Sequence, residues 1–340
     1  MNKYGIRGIS KMKKITVASI AKQAGVSPAT VSRVLNHREL VKEETIQCVE
    51  DAMKELGRRL GRREQKGQTK KPIILLNIPG VDNVFYLDVI KGARISAKAH
   101  GYYLLLHESP LSRGTIQDFC ELIVQVDAAG VILLNKVLEE SLQKISALTP
   151  VVQCCEYNEH ANVPYVSIDD FKAAESATQY LLSNGRSRIA MINGPGMFNY
   201  AVHRQEGFLY ALKNAEITIP RQWILQLPEI SYEMAYAAVS RLLKSEFRPD
   251  AFFAISDVFA AAAVKAVKKY GFRVPEDIMV VGFDNIELST MTSPAITTVS
   301  QPRQQMGYTA CEMLLEIIDN PLTEVKSIVL DTELIVRETA

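Results

Sequence analysis

Apolar positions recur along the chain in two rhythms, and the change comes near residue 72. Before it the spacing is helical. Val17, Ile20, Ala21 and Ala24 fall at i, i+3, i+4 and i+7, one face of a short helix with Thr16 placed to cap it. Gly25-Val26-Ser27 interrupts the pattern, and Ser27-Pro28 reads as an N-cap followed by proline at the first helical position. A second helix is predicted to run to about Asn36, with Val31, Val34 and Leu35 inward and Ala29, Thr30, Ser32 and Arg33 outward. Ile46, Val49, Met53 and Leu56 mark a third, and Glu43 and Glu44 suit its N-terminus. Two short helices joined by a glycine-containing turn match the helix-turn-helix, whose second helix enters the DNA major groove.

From Pro72 onward short apolar runs alternate with helical patterns. Ile73 to Ile78, Tyr102 to Leu106, Val131 to Leu134 and Val151 to Cys155 read as one series of buried strands; Tyr165 to Ile168, Arg188 to Ile192, Ala251 to Ile255 and Ile278 to Val281 read as a second. Helices are expected between them, around Val84 to Ala99, Thr115 to Val126, Leu138 to Ala147, Phe171 to Leu182 and Tyr200 to Lys213. Such alternation predicts parallel sheets covered on both faces, here two doubly wound lobes. The fold class expected is an all-α helix-turn-helix headpiece plus an α/β two-lobe core.

Charge divides the chain at the same place. Residues 1–71 hold 17 Lys and Arg against 7 Asp and Glu, net +10, whereas residues 72–340 hold 22 against 31, net −9. A basic head on an acidic body fits a chain in which one part meets a polyanion and the other does not. With 47% apolar residues the chain has the means to build a core, and no run approaches 18 apolar residues. Residues 1–14 are basic without an apolar stretch behind them, so a soluble, cytoplasmic protein is expected, with Met12 a candidate initiator. The five cysteines, Cys48, Cys120, Cys154, Cys155 and Cys311, lack Cys-x-x-Cys spacing and read as reduced thiols.

The string from Ile15 to Asn36, in particular Ala24-Gly25-Val26-Ser27-Pro28-Ala29-Thr30-Val31-Ser32-Arg33-Val34-Leu35-Asn36, closely resembles the DNA-binding headpiece of the lactose-repressor (LacI/GalR) family of bacterial transcription regulators. The resemblance implies operator DNA as partner. Pro28, Ala29 and Arg33 would address base edges, arginine being suited to bidentate contact with guanine, while the two residues without a side-chain donor would read shape and thymine methyls. Thr16, Ser27, Thr30, Ser32 and Asn36 suit phosphate oxygens, which position without reading sequence. Beyond Leu56 the likeness weakens: Gly57-Arg58-Arg59-Leu60-Gly61-Arg62-Arg63 reads either as a flexible basic linker or as arginines, Arg58 and Arg59 first, attracted into a narrow minor groove. The divisions expected are an extension over 1–14, the headpiece over 15–57, a basic hinge or linker over 58–71 and the core over 72–340.

In open parallel sheets ligands sit beyond the carboxyl ends of the strands. There this sequence has Asn83-Val84-Phe85-Tyr86, Glu156-Tyr157, Asp169-Asp170, Asn193-Gly194-Pro195-Gly196 and Gly282-Phe283-Asp284-Asn285. Aromatic faces with a few charged forks suit a sugar-like ligand. The strings Phe85-Tyr86-x-x-Val89-Ile90-Lys91-Gly92, Arg204-Gln205-Glu206-Gly207-Phe208, Ser256-Asp257 and Val281-Gly282-Phe283-Asp284-Asn285 resemble the effector-binding core of the same family, in order. That resemblance implies that Arg204 and Asp284 bind effector hydroxyls or carboxylates, with the two residues held on opposite sides of the cleft. It implies that Phe85 and Tyr86 stack on the ligand, and it adds Glu156, Phe198, Tyr200 and Gln301 as lining candidates, with His203 at the border. Thr297 to Arg303 reads as the last crossover between lobes. Gln301-Pro302, Gln153 to Tyr157 and Met197 to Arg204 are similar to the branches answering to ribose, purines and cytidine.

Phosphate-loop, dinucleotide, nucleophile-elbow and His-Glu-x-x-His motifs are missing, and the five histidines show no ligand spacing, so no enzyme activity, cofactor or metal is expected. The expected function is a repressor controlled by a small sugar or nucleoside, acting as a homodimer or higher oligomer away from any membrane. A sugar-binding protein or an α/β enzyme of the same two-lobe architecture is the alternative.

Overall fold

A computed structural model describes residues 17–36, 41–64, 71–322 and 326–340, and the chain divides into two compact units between Lys71 and Pro72. The first unit is helical: α1 (Val17–Ala24), α2 (Pro28–Asn36) and α3 (Glu43–Glu64). Ile20, Ala21, Val31, Val34, Ile46 and Val49 form its core, drawn from all three helices. Gly25 turns the chain between α1 and α2 at φ +67, where L side chains are strained. Ser27 then starts α2, its Oγ accepting from the Thr30 amide at 3.1 Å. The backbone of α3 continues helically through residues 58–64, the first part of the stretch expected as a basic hinge or linker, so the helix outruns its apolar stripe.

The second unit contains two six-stranded sheets. Its elements are β1 (Ile73–Ile78), α4 (Phe85–Ala99), β2 (Tyr103–Glu108), α5 (Ile116–Val126), β3 (Ala128–Leu133), α6 (Glu139–Ser146), β4 (Val151–Cys154), β5 (Tyr165–Ile168), α7 (Asp170–Ser183), β6 (Ile189–Asn193), α8 (Asn199–Asn214) and β7 (Ile224–Gln226). They continue with α9 (Tyr232–Leu243), β8 (Ala251–Ala254), α10 (Asp257–Lys269), β9 (Met279–Asp284), α11 (Leu288–Met291), β10 (Thr297–Ser300), α12 (Arg303–Asp319), β11 (Ile328–Leu330) and β12 (Glu333–Ile335). The sheet orders are β11-β5-β4-β3-β1-β2 and β12-β10-β9-β8-β6-β7. All pairings are parallel except that of β12 on β10.

β1 shows why these runs are continuously apolar. Ile74, Leu76 and Ile78 pack to one side with Val89 and Ala93 of α4, while Leu75 packs to the other with Val131, Leu133 and Phe119. α4 and α12 cross at Gly92 and Gly307, and a β-carbon on Gly307 would lie 1.8 Å from the Val89 carbonyl oxygen.

Two expectations are corrected. Tyr165 to Ile168 belongs to the first sheet, because residues 155–164 carry no helix and the chain returns directly to pair Val166 with Cys154. Thr297 to Ser300 is itself a strand of the second sheet, so the crossover occupies only Gln301-Pro302 before α12 joins lobe one. The chain passes between lobes three times: after β5, after β10, and between β11 and β12.

Candidate functional site

The headpiece presents Ser27, Pro28 and Arg33 to solvent and Thr30 half-exposed, with the Ser27 and Thr30 hydroxyls 2.8 Å apart. The backbones of Ala29, Ser32 and Asn36 lie within α2, and those of Arg58 and Arg59 within α3. Their side chains, and all of Thr16, lie outside the described residues.

In the core a cavity opens where the carboxyl ends of both sheets meet, with about 510 Å³ of space, part of it open to solvent. Seven of the eight candidate effector residues line it: Phe85, Tyr86, Glu156, Tyr200, Arg204, Asp284 and Gln301. Phe198 does not. It stacks on Tyr200 at 5.4 Å between centroids and supports the wall from behind, and His203 likewise stays off the lining. Sequence reasoning missed Ser167, Ile168, Ile230, Ile255 and Met306 as lining residues; the four apolar ones bring no motif signal, and Ile255 also serves the site through its backbone carbonyl.

Arg204 organises the cavity floor. Its Nε donates to Asp170 Oδ1 at 2.7 Å, Nη1 donates to the Ile255 carbonyl at 2.7 Å, and Nη1 lies 3.7 Å from Asp284 Oδ1. The guanidinium sits over the Phe283 ring, 3.5 Å from its centroid. Arg204 on α8 and Asp284 at the end of β9 thus come from the same lobe and face each other, which corrects their expected placement across the cleft. Asp284 accepts from Gln301 Nε2 at 2.7 Å and is held at φ 104, outside the strand conformation. Of the Asp169-Asp170 pair, Asp169 caps α7 through the Lys172 amide while Asp170 turns to Arg204.

Glu156, from lobe one, closes over the start of α8. Its two carboxylate oxygens accept from the Asn199 and Tyr200 amides at 3.0 and 3.2 Å, a carboxylate on a helix N-terminus. Asn199 Nδ2 donates back to the Tyr157 carbonyl at 2.6 Å, so three hydrogen bonds join the lobes here.

Burial pushes the carboxyls of Glu156 and Asp284 up to about 7, and that of Asp257, behind the site on α10, up to about 8. At these three carboxyls the folded chain therefore binds more protons than the unfolded one between the ordinary carboxylate range and about pH 8. Stability should fall as pH rises through that window. The melting temperature of the ligand-free protein is expected to be higher at pH 5.5 than at pH 8 in this respect, and Asp257→Asn should flatten the slope. A melting temperature that climbs across the window by equal amounts in both proteins would refute the assignment.

Comparison with known proteins places the chain in a family. Residues 16–58 match the model described as bacterial regulatory proteins, lacI family, and residues 178–340 match that of a periplasmic binding protein-like domain. The chain is 32% identical over 327 residues to the HTH-type transcriptional repressor CytR of Escherichia coli strain K12, covering 95% of each. It is 30% identical to the repressor PurR of Vibrio vulnificus, covering 95% of this chain and 98% of that one. Among solved structures, the complex of the transcriptional regulator CelR with cellobiose superposes with a TM-score of 0.72 at 28% identity, over 96% of this chain and 100% of the other. A three-helix unit with a serine-capped second helix, joined in one chain to two parallel-sheet lobes around a cavity, is thus matched along nearly its whole length, and the chain belongs to the lacI family of bacterial regulatory proteins.

Proposed function

We propose that this chain is an operator-binding transcription repressor whose hold on DNA is set by a small sugar or nucleoside in the inter-lobe cavity. The observation that carries the reading is the pairing of an exposed recognition-helix arginine, Arg33, within an N-terminal stretch, residues 1–71, of net charge +10, with a cavity framed by both lobes. Arg33 reads a base. Ser27 and Thr30 anchor phosphates, a role shared by Thr16, Ser32 and Asn36, and Pro28 and Ala29 address base edges. Arg58 and Arg59 add sequence-independent charge, with the salt dependence that implies. In the cavity Phe85, Tyr86 and Tyr200 offer aromatic faces, and Arg204, Asp284 and Gln301 offer the polar contacts.

The test is a gel shift on the DNA upstream of the protein's own gene, with and without sugars and nucleosides. Arg33→Ala is expected to cost about 1–3 kcal/mol on that DNA and to relax preference at one base position. Equal weakening on random DNA would reject base reading.

A single short recognition helix makes too few contacts to find one site in a genome, so the repressor acts as a dimer. Lobe one supplies a surface: edge strand β2 exposes Tyr103, Leu105 and Leu106, and neighbouring α4 exposes Leu87 and Ile95. Leu87→Asp with Leu105→Asp should convert the full chain from dimer to monomer in sedimentation. A dimer that survives both changes would move the interface elsewhere.

A further inference from the structure

Two thiols meet at the edge of the cavity. Cys154 ends β4 and Cys155 follows it, and their sulfurs stand 3.7 Å apart, the one pair of sulfurs in contact among the described residues. Their surroundings differ. Cys154 is fully buried in the core, whereas Cys155 lines the cavity, so a small molecule entering there reaches the second sulfur and not the first.

Successive side chains of a strand point to opposite faces, which would hold two neighbouring thiols apart. Here the strand has just ended in a tight turn. The Glu156 amide donates to the Cys154 carbonyl at 2.9 Å, and Cys155 between them has φ 69, a three-residue γ-turn of the rare, strained kind on a residue that is not glycine. The turn is pinned from β5 and the residue after its first pair: the Cys155 amide donates to the Val166 carbonyl at 2.9 Å, and Ser167 Oγ donates to the Cys155 carbonyl at 3.1 Å. The strained backbone thus serves to bring the two sulfurs together.

We propose that Cys154 and Cys155 form an oxidative modification site for small neutral peroxides, Cys155 reacting first, Cys154 resolving it, and a disulfide between the two neighbours as the product. With hydrogen peroxide, the Cys155 sulfur gives an electron pair to one peroxide oxygen. The O–O bond breaks, and the departing hydroxide takes up the thiol's proton as water, leaving a sulfenic acid. The Cys154 sulfur then attacks the sulfenic sulfur, the S–O bond breaks, and that oxygen leaves as water with the Cys154 proton. Two thiols and one peroxide become one disulfide and two waters. The hydrogen bond to Cys154, burial and the charges of Glu156 and Asp170 hold the Cys155 thiol well above its usual range, so thiolate is scarce and only sustained exposure marks the protein. The mark is easily erased. Neighbouring α-carbons lie about 3.8 Å apart, short of the roughly 4.4–6.8 Å that relaxed disulfides span, and a strained bridge is readily reduced by thiols.

The next residue carries the consequence. Drawing the sulfurs from 3.7 Å to the roughly 2.05 Å of a bond turns the peptide between them, and its carbonyl is the one that holds the Glu156 amide. Glu156 is the lobe-one carboxylate that accepts from the Asn199 and Tyr200 amides of α8. Oxidation therefore loosens a contact between the lobes, whatever the cavity binds.

Peptide mapping by mass spectrometry after treating the full chain with hydrogen peroxide tests the assignment. The peptide holding both cysteines should become two hydrogen atoms lighter, and dithiothreitol should restore it. In Cys154→Ser the same peptide should instead gain oxygen at Cys155, and in Cys155→Ser it should stay unmodified at peroxide levels that bridge the unaltered protein. Hydrogen exchange at the Asn199 and Tyr200 amides should quicken by roughly tenfold or more in the bridged protein and in neither variant. Melting curves show that the variants fold, and Cys→Ala at the same position replaces one that does not. Oxygen gained at Cys155 of the unaltered protein while Cys154 stays a thiol overturns the proposal, as does a bridge from either residue to Cys48 or Cys120. A bridge between the two neighbours with unchanged exchange overturns its link to the lobes.

Discussion

Arg204→Met is expected to destabilise the core by about 3–5 kcal/mol in urea unfolding, the usual result of removing one partner from a buried ion cluster. The side chain of Arg204 is only 6% exposed, and so is that of its partner Asp170. Methionine fills much of the volume but leaves Asp170 and Asp284 facing each other without a counter-charge, and both would have to bind protons or drag in water. The triple change Arg204→Met, Asp170→Asn, Asp284→Asn should recover most of the loss, because it removes the charges together with their compensation. Effector binding should be lost in both proteins, since neither retains the polar frame. Full stability in Arg204→Met would mean that the cluster is solvated in solution, and the buried network described here would be wrong. The single change Asp284→Asn keeps the Gln301 contact within reach and should lower effector affinity by roughly 1.5–3 kcal/mol.

Gly307→Ala is expected to cost about 3 kcal/mol, at the upper end of what overpacking does. The added carbon would stand 1.8 Å from the Val89 oxygen and 2.7 Å from its carbon, and these are backbone atoms of α4 that no rotamer change can move. Gly92 on the opposing helix meets the Gln304 carbonyl in the same way, so the two helices touch backbone to backbone at reciprocal glycines. Gly101→Ala provides the contrast: it has open space, and only its φ of +80 penalises the change, by about 1 kcal/mol. Similar denaturation midpoints for the two variants would contradict the close crossing.

What could be read from the sequence divides along physical lines. The headpiece was legible because its signals are local: a capped helix start at Ser27-Pro28, a turn at Gly25 and an inward stripe at Val31 and Val34 lie within a few residues. Buried strands such as β1 and β8 were legible as uninterrupted apolar runs. β7 and β12, three residues each, were not, since so short a run carries no periodicity. Sheet membership was the harder matter. β5 follows four strands of lobe one and precedes the helices of lobe two, and only its pairing with β4 decides the question.

The cavity shows the same limit. Strand ends named the neighbourhood of Asp170 but could not separate it from Asp169, because choosing between a cap and a salt bridge depends on where Arg204 arrives from α8. Phe198 shares its helix start with Tyr200 and differs from it only in the direction it points. Arg204 and Asp284 share a wall because α8 and β9 are both built on the second sheet, and no local signal in the sequence shows which sheet a strand end belongs to.

The three passages between lobes have a consequence for anyone recombining this protein with its relatives. Lobe one is written in the gene as two separated stretches, residues 72–168 and 303–330, with the whole of lobe two between them apart from its last strand. A chimera cut once, anywhere in the middle, would give lobe one the strands of one parent and the α12 helix of another, and would set the Gly92–Gly307 crossing between strangers. Exchanging lobe two as a unit instead calls for three joints, one beside Asp170, one beside Gln301 and a third between β11 and β12, because β12 pairs with β10 of the same lobe. Point changes within the cavity therefore leave the frame intact where a swap of either lobe would have to rebuild its seams.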